Sequence, residues 1–311
     1  MTDDAGPLPK LPPRAADSHK GTHGTALILG GCARPASAML GAPTLTARAA
    51  LRAGVGLARL LVPKPLLIPA LEQIPEATAI GLAVDRDLAV IPHDAAETLD
   101  HALTIADCLA VGPGLGPGDE AESLSVRALG QQDVPVVADA DALNALARIR
   151  SYPELIRAAT IITPHPGEFA RLTDRLGMAT LGKRDHDAAE LARRLGIIVV
   201  LKGAGTVVTD GLRTWTCRRG HPCLAVGGTG DVLTGVIAAL VAQHVAPGPQ
   251  AIGSFTMPKP PDKPLDLFDA ARLGVEAHAI AGERWAETHE ASSGLLAREL
   301  ADLMPSSLER L

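Results

Sequence analysis

The chain has very few aromatic rings. Phe, Trp and Tyr together make up 2% of 311 residues, which excludes a core built on aromatic stacking. Hydrophobic residues still reach 47%. The interior must therefore be filled by Ala, Leu, Val and Ile, a composition suited to parallel strands covered by small-residue helices. Dense positive charge is also missing. The formal net charge is −6, and no basic run is long enough to track a nucleic-acid backbone, so nucleic acid is not an expected partner. No apolar stretch reaches the roughly 18 residues that a spanning helix needs, so a membrane is not expected either. Cysteine is scarce: Cys32, Cys108, Cys217 and Cys223 form no C-x-x-C pair, which argues against a zinc or redox site. No signal peptide is recognisable, so the expected setting is a reducing cytoplasm with four inert thiols.

What is present is a recurring pattern. Apolar stretches at 25–29, 57–62, 108–111, 134–138, 160–162 and 197–201 read as strands. The last four run into "GPGLGPG", "DADALNAL", "TPHPGEF" and "KGAG", each leading towards a helical stretch. Helices are expected at 36–53, 269–288 and 295–304. Buried strands that end in glycine-rich or polar loops predict an α/β three-layer sandwich. Its central sheet is mainly parallel, with helices on both faces and the ligand site at the carboxyl ends of the strands. Asp210-Gly211 sits between two strand-like runs as a tight turn, so an antiparallel edge is expected. Residues 1–17 are rich in Pro, Asp and Ala and read as a flexible N-terminal tail. Residues 18–311 read as a single domain, with 246–266, which holds six prolines, as a loop insertion.

Two common phosphate-binding signatures fail. A P-loop needs Gly-Lys followed by Ser or Thr, but the one such dipeptide, Gly182-Lys183, is followed by Arg184. Gly116, Gly118 and Ala121 match a dinucleotide fingerprint by letter only, since they come late in the chain instead of after the first strand. The stretch "LAVGGTGDVLTGVIAAL" at 224–240 is more informative. Gly227, Gly228 and Gly230 stand at the mouth of a helix, where bare amides and the helix dipole favour an anion. Asp231 at the edge of a phosphate site is electrostatically awkward, unless it takes a proton from a hydroxyl attacking that phosphate. The plainer reading is a Gly-rich turn with Asp231 as a first-turn helix charge.

This element resembles the G-x-G-D of ribokinase-like small-molecule kinases. "SHKGTHGTALILGG" (18–31), "GAPTLTARAALRAGVGL" (41–57), "AVGPGLG" (110–116), "DADALNAL" (139–146), "TPHPGEFARL" (163–172) and "LKGAGTVV" (201–208) occur in the order found in one branch, the nucleotide-dependent NAD(P)H-hydrate dehydratases. The likeness runs from about residue 18 to 305. Cys32 departs from a serine common there, and 246–266 looks long. The epimerase domain that many relatives carry upstream is not expected within this chain, since about 18 residues precede the likeness.

The resemblance implies a ribokinase-like fold and a metabolite-repair lyase. Its substrate would be the S-epimer of NADH or NADPH hydrated at C6, with ADP or ATP as co-substrate and Mg²⁺ as cofactor. A kinase fold can run a dehydration because phosphorylating the C6 hydroxyl turns it into a good leaving group, which the ring nitrogen's lone pair expels. By the same resemblance Asp231 is the catalytic base and lies against the substrate. Lys202, Gly203, Ala204, Gly205, Thr206, Gly228, Thr229 and Gly230 bind the nucleotide. Ala42, Gly114 and His165 contact the hydrated dinucleotide, small residues at 42 and 114 permitting its close approach. Asn144 and Glu168 organise Mg²⁺ or its water shell, since hard oxygens suit that ion. Asn144 could equally cap its helix, and Asp139 and Asp141 could share the metal's work or simply begin that helix. A homotetramer and a separately encoded epimerase are expected on the same footing. The rival readings are a kinase of thiazole or pyrimidine alcohols, and a catalytically silent nucleotide-binding protein.

Overall fold

The structure, a computed structural model, describes residues 5–246 and 263–311. β1 (Thr25–Leu29) leads to α1 (Gly41–Arg52), and β2 (Leu57–Pro63) to α2 (Leu67–Gln73). β3 (Thr78–Leu82) precedes α3 (Pro92–Leu103), and β4 (Cys108–Val111) precedes α4 (Asp119–Gly130). After β5 (Val136–Ala138) come α5 (Asp141–Leu146) and α6 (Tyr152–Leu155); after β6 (Thr160–Ile162) come α7 (Pro166–Arg175) and α8 (Arg184–Leu195). β7 (Ile198–Leu201), β8 (Val207–Thr209) and β9 (Thr214–Thr216) end the sheet. α9 (Thr229–His244), α10 (Leu267–His289), α11 (Ala297–Asp302) and α12 (Met304–Leu308) close the chain.

The nine strands form one sheet in the order β3-β2-β1-β4-β5-β6-β7-β8-β9. β1 to β7 pair in parallel, and β8 and β9 add the expected antiparallel edge. The hairpin turns where predicted: Asp210 Oδ1 accepts from the amide of Leu212 at 2.8 Å, and Gly211 has φ +90°. Between β1 and β4 the strand order reverses, which opens a crevice at the carboxyl ends.

Period-two alternation sorts the aliphatic side chains to two faces. Ala26 and Ile28 of β1 join a cluster with α1, α9 and α10, whereas Leu27 and Leu29 join one with α3, α4 and α8. α9 is apolar nearly all round because it is buried on nearly all sides, against α1, α10 and the sheet. Gly235 lets α1 touch it backbone to backbone, since a Cβ there would stand 2.1 Å from the carbonyl oxygen of Thr46.

Four expectations change. The first helix begins at Gly41, after a separate 3₁₀ turn at Pro35–Ser37, and Pro43 sits in its first turn, where no amide hydrogen bond is forfeited. The strand Thr78–Leu82 was not anticipated. It is a partly exposed edge with a weak apolar pattern. The closing helix at 295–304 is divided between α11 and α12. The tail read as flexible is, over its described residues 5–17, laid against the body. Arg272, fully buried in α10, donates to the carbonyls of Ala5 and Pro7 at 2.7 Å, and Leu8 and Leu11 pack on the core. Of the Pro-rich insertion, 247–262 lies outside the described residues, while Leu265 is buried beside Val245. No helix among the described residues is long and apolar enough to cross a membrane, and all four cysteines are buried and free.

Candidate functional site

The site is assembled where successive strand ends tie to one another. The amide of Asp139 donates to Val111 O at 3.0 Å, that of Thr163 to Ala138 O at 3.1 Å, and that of Lys202 to Pro164 O at 2.9 Å. The loops "GPGLG", "DAD", "TPHPGE" and "KGAGT" are thereby held side by side. Gly112 is required by this proximity, because a Cβ there would fall 1.8 Å from Asp139 O. Ala140 turns the chain at φ +50°. That sparsely populated conformation separates two carboxylates, Asp139 facing Lys202 and Asp141 accepting from the amide of Gly116 at 2.9 Å.

At the centre, Asp139 is almost fully buried. Its Oδ1 accepts from Lys202 Nζ at 2.6 Å and its Oδ2 from Thr234 Oγ1 at 2.9 Å. Burial opposes the charge on Lys202, but Asp139 and Glu168 outweigh it and hold the ammonium above its ordinary value. Asp231 has no such donor: among the described residues its carboxylate accepts no hydrogen bond. Burial first, then repulsion from Asp139, pushes it up to about 7, with Lys202 partly opposing. Glu168 is likewise pushed up to about 7 by burial, against the pull of Lys202. The centre therefore holds more carboxylate than cation.

Two helices start here. α7 begins with a complete capping box: His165 Nδ1 accepts from the amides of Gly167 and Glu168 at 3.0 and 3.3 Å, and Glu168 Oε2 accepts from His165 N at 2.8 Å. Pro166 fills the first position, where no N–H is missed. Burial, with Lys202 and Arg171 nearby, keeps His165 below its ordinary pKa, so the ring is a neutral cap. α9 begins at Gly228 with no side-chain cap. Gly228 has φ +92°, and a Cβ there would meet Ala297 and Leu45 at 2.8 and 2.9 Å. The hydroxyl of Thr229 is turned to the carbonyls of Leu224 and Val226, each at 3.0 Å, and leaves the first-turn amides free. A Cβ on Gly230 would stand 3.4 Å from Lys202 Nζ, so the lysine lies beside this open start.

Lys202, Gly203, Ala204, Gly205, Thr206, Thr229 and Gly230 all line one cavity of about 730 Å³, a size that suits a nucleotide. Its other walls were missed by the sequence reading. They are the basic loop with Arg218, Arg219 and His221, and Val275, His278 and Ala279 of α10. His278, held neutral near pKa 4 by burial, donates from Nε2 to Thr229 O at 2.9 Å. The "RRGH" run before "GGTGD" was a local signal for the basic loop; nothing local marks α10.

Ala42 and Gly114 meet at the β1–β4 crevice, and neither lines this cavity. Gly114 has φ +65°, and a Cβ on it would lie 3.3 Å from that of Ala42. Asn144 does not face the acidic centre as an open ligand. Its Oδ1 accepts from Arg171 Nε and Nη2 at 3.1 and 2.8 Å, and a guanidinium there excludes a second cation. The expected metal-ligand role of Asn144 does not fit this pairing with Arg171. Among the described residues no three His, Cys, Asp or Glu side chains form a metal-holding group.

The family profile described as NAD(P)H-hydrate dehydratase matches residues 26–306. The chain is 38% identical over 304 residues to the bifunctional NAD(P)H-hydrate repair enzyme of Vibrio cholerae, covering 97% of this chain and 52% of that one. It thus spans about half the length of the bifunctional relatives it matches. It is 35% identical to the ADP-dependent (S)-NAD(P)H-hydrate dehydratase of Bacillus subtilis, covering 96% of this chain and 94% of that one. The crystal structure of the ADP/ATP-dependent NAD(P)H-hydrate dehydratase of Bacillus subtilis, co-crystallized with ATP/Mg²⁺, superposes with a TM-score of 0.73 at 31% identity, over 97% of this chain and 94% of that one.

Proposed function

The chain belongs to the NAD(P)H-hydrate dehydratase family, and from that premise we propose that it dehydrates the S-epimer of hydrated NADH or NADPH. ADP is split to AMP and phosphate in the cytoplasm. The observation that carries this reading is Asp231. It is a carboxylate without a donor, pushed up to about 7 by burial and Asp139, beside an uncapped helix start. A base near neutral pKa is matched to taking a hydroxyl proton at physiological pH.

In this reading ADP fills the cavity lined by 202–206, with its phosphates towards Lys202, Gly230 and the first-turn amides of α9. The dinucleotide enters from the Ala42–Gly114 crevice, walled by His165. Asp231 takes the proton of the C6 hydroxyl as its oxygen attacks the β-phosphorus. The α9 amides receive the charge that develops on the transferring oxygens. Elimination then follows: the ring nitrogen's lone pair forms a C=N bond, the C6–O bond breaks, and phosphate leaves. Loss of the C5 proton restores the reduced ring.

Mg²⁺ is the expected cofactor. Glu168 fits it, as a hard-oxygen donor in a centre short of positive charge. With Oε2 engaged by the α7 cap, Glu168 would act through Oε1 or through water. When bound, the ion neutralises phosphate charge and orients the transferring group. A homotetramer and a separately encoded epimerase that converts the other epimer rest on the resemblance alone. Mass in solution tests the first.

Incubation with epimer-mixed hydrated NADH and ADP tests the function. The S-epimer is expected to return as NADH absorbance with one phosphate released per turnover, and ATP in place of ADP ranks the two donors. Accumulation of a stable phosphorylated product would make the chain a small-molecule kinase. Binding of ADP without turnover would make it a silent nucleotide-binding protein.

A further inference from the structure

A second cavity, of about 940 Å³, lies between α4, α5 and α7. Its walls carry Arg148, Arg150, Arg171 and Arg175 against Asp141 and Asp174. These arginines are poorly neutralised. Arg148 reaches Glu122 only at 3.5 Å. Arg171 spends two donors on Asn144, and Arg175 gives its Nε to the carbonyl of Ala147 at 2.7 Å. Arg150 has no hydrogen bond or ion pair among the described residues. Elsewhere Arg48, Arg127, Arg193, Arg213 and Arg219 each hold a carboxylate within 3.0 Å. Four guanidiniums facing two carboxylates in one cleft, in a chain of net charge −6, are a local excess of positive charge.

The cleft adjoins the reacting centre. Gly116 and Asp141 line its upper end. Asp141 is near enough to Asp231 to raise it, and Arg171 near enough to His165 to lower it. Gly116 belongs to the loop whose Gly114 meets Ala42. The cavity therefore reaches the loop of the Ala42–Gly114 crevice and shares no lining residue with the one at 202–206. Both reactants are polyanions, and the carboxylate-rich centre repels both. The nucleotide has Lys202 and the basic loop at 218–219. The dinucleotide needs its own counter-charge, and this cleft is where the structure supplies it.

We propose that this cleft is the phosphate subsite for the hydrated dinucleotide, with Arg150 and Arg175 as its anion-binding groups. The proposal rests on the functional reading above for the identity of the ligand. The ligand chemistry is a phosphate ester, and two phosphates of the same molecule qualify: the pyrophosphate shared by both forms, and the 2′-phosphate of the NADPH form alone. Guanidiniums suit either, since their paired donors match two phosphate oxygens.

The test compares wild type with Arg150→Glu, which breaks no hydrogen bond among the described residues, and with Arg150→Ala/Arg175→Ala. Steady-state kinetics are run on hydrated NADH and hydrated NADPH. KM for the dinucleotide is expected to rise by roughly tenfold or more, the scale of a lost charge-assisted bond. The kcat, the ADP Kd and the melting temperature should hold. Equal losses for both substrates assign the pyrophosphate; a larger loss for the NADPH form assigns the 2′-phosphate. Unchanged KM for both, or a loss confined to ADP affinity, overturns the subsite. Calorimetric titration with intact NADPH and NADH reads the cleft without turnover. If wild type binds NADPH through these arginines but leaves the hydrate untouched, the function falls and the subsite stands. If the hydrate turns over equally in all variants, the subsite falls and the function stands.

Discussion

The starts of α7 and α9 lie in the same cluster of strand ends, yet they are finished in opposite ways. α7 satisfies its own first-turn amides with His165, Glu168 and a proline, so nothing is left for a ligand. α9 offers Gly228 in place of a cap, turns the Thr229 hydroxyl backwards, and sets a donorless Asp231 one residue after Gly230. An unfilled helix start is a cost to the folded chain unless something anionic completes it. One terminus is thus completed within the fold and, in the proposed reading, the other by a ligand, although both are glycine- and acid-containing loops in the sequence.

The largest effect should come from the open start. Asp231→Asn keeps the shape but cannot take a proton, and kcat is expected to fall by at least about 100-fold, the lower range for a general base. ADP affinity should hold or improve with a negative charge removed. Stability gives an independent reading. A carboxylate raised from 3.8 to about 7 binds more protons folded than unfolded between those values, so wild-type stability declines as pH rises through that window. Asp231→Asn should therefore melt with wild type at pH 3 and above it at pH 8. Near-normal turnover would remove the base assignment and make the two starts alike.

Lys202→Ala should cost about 3–5 kcal/mol of stability, because it strands Asp139 in the interior, and should also weaken ADP. Lys202→Met/Asp139→Leu should recover the stability without the ADP affinity, by denaturant melts and calorimetry. Recovery of both would leave Lys202 with no nucleotide contact. Gly228→Ala should lose about 2 kcal/mol, since a side chain there is both left-handed and crowded. At the closed start, His165→Ala should lose only about 1 kcal/mol, the worth of a cap. A loss of kcat instead would give His165 a part in the chemistry beyond walling the crevice.

The strand-end loops were legible in the sequence because glycine, proline and short aliphatic runs act locally. The antiparallel edge was legible for the same reason, through Asp210-Gly211. What escaped was non-local. Asp139 meets Lys202 across 63 residues, so the lysine's fixed position could not be read from "KGAG". His278 and the arm carbonyls held by Arg272 depend on α10 folding back, 49 and 265–267 residues along the chain. Asn144 had two readings in the sequence, a helix cap or a metal ligand. Its contact with Arg171 of α7, 27 residues on, was not visible there.

The contact at Gly235 has a mechanical consequence. With the backbones of α1 and α9 touching there, the two helices cannot slide without opening a gap in a close-packed interior. Ala42 rides on α1 and Asp231 on α9, so the crevice and the carboxylate form one stiff jaw of fixed span. The opposite wall, the 217–225 loop, carries only one short 3₁₀ turn. That loop is held instead by side-chain ties to α10: Arg219 and the amide of Gly220 donate to Glu283, and Cys223 Sγ to the carbonyl of Gly282. In the proposed reading the span between base and ring is then set at folding, by the same contact that packs the two helices.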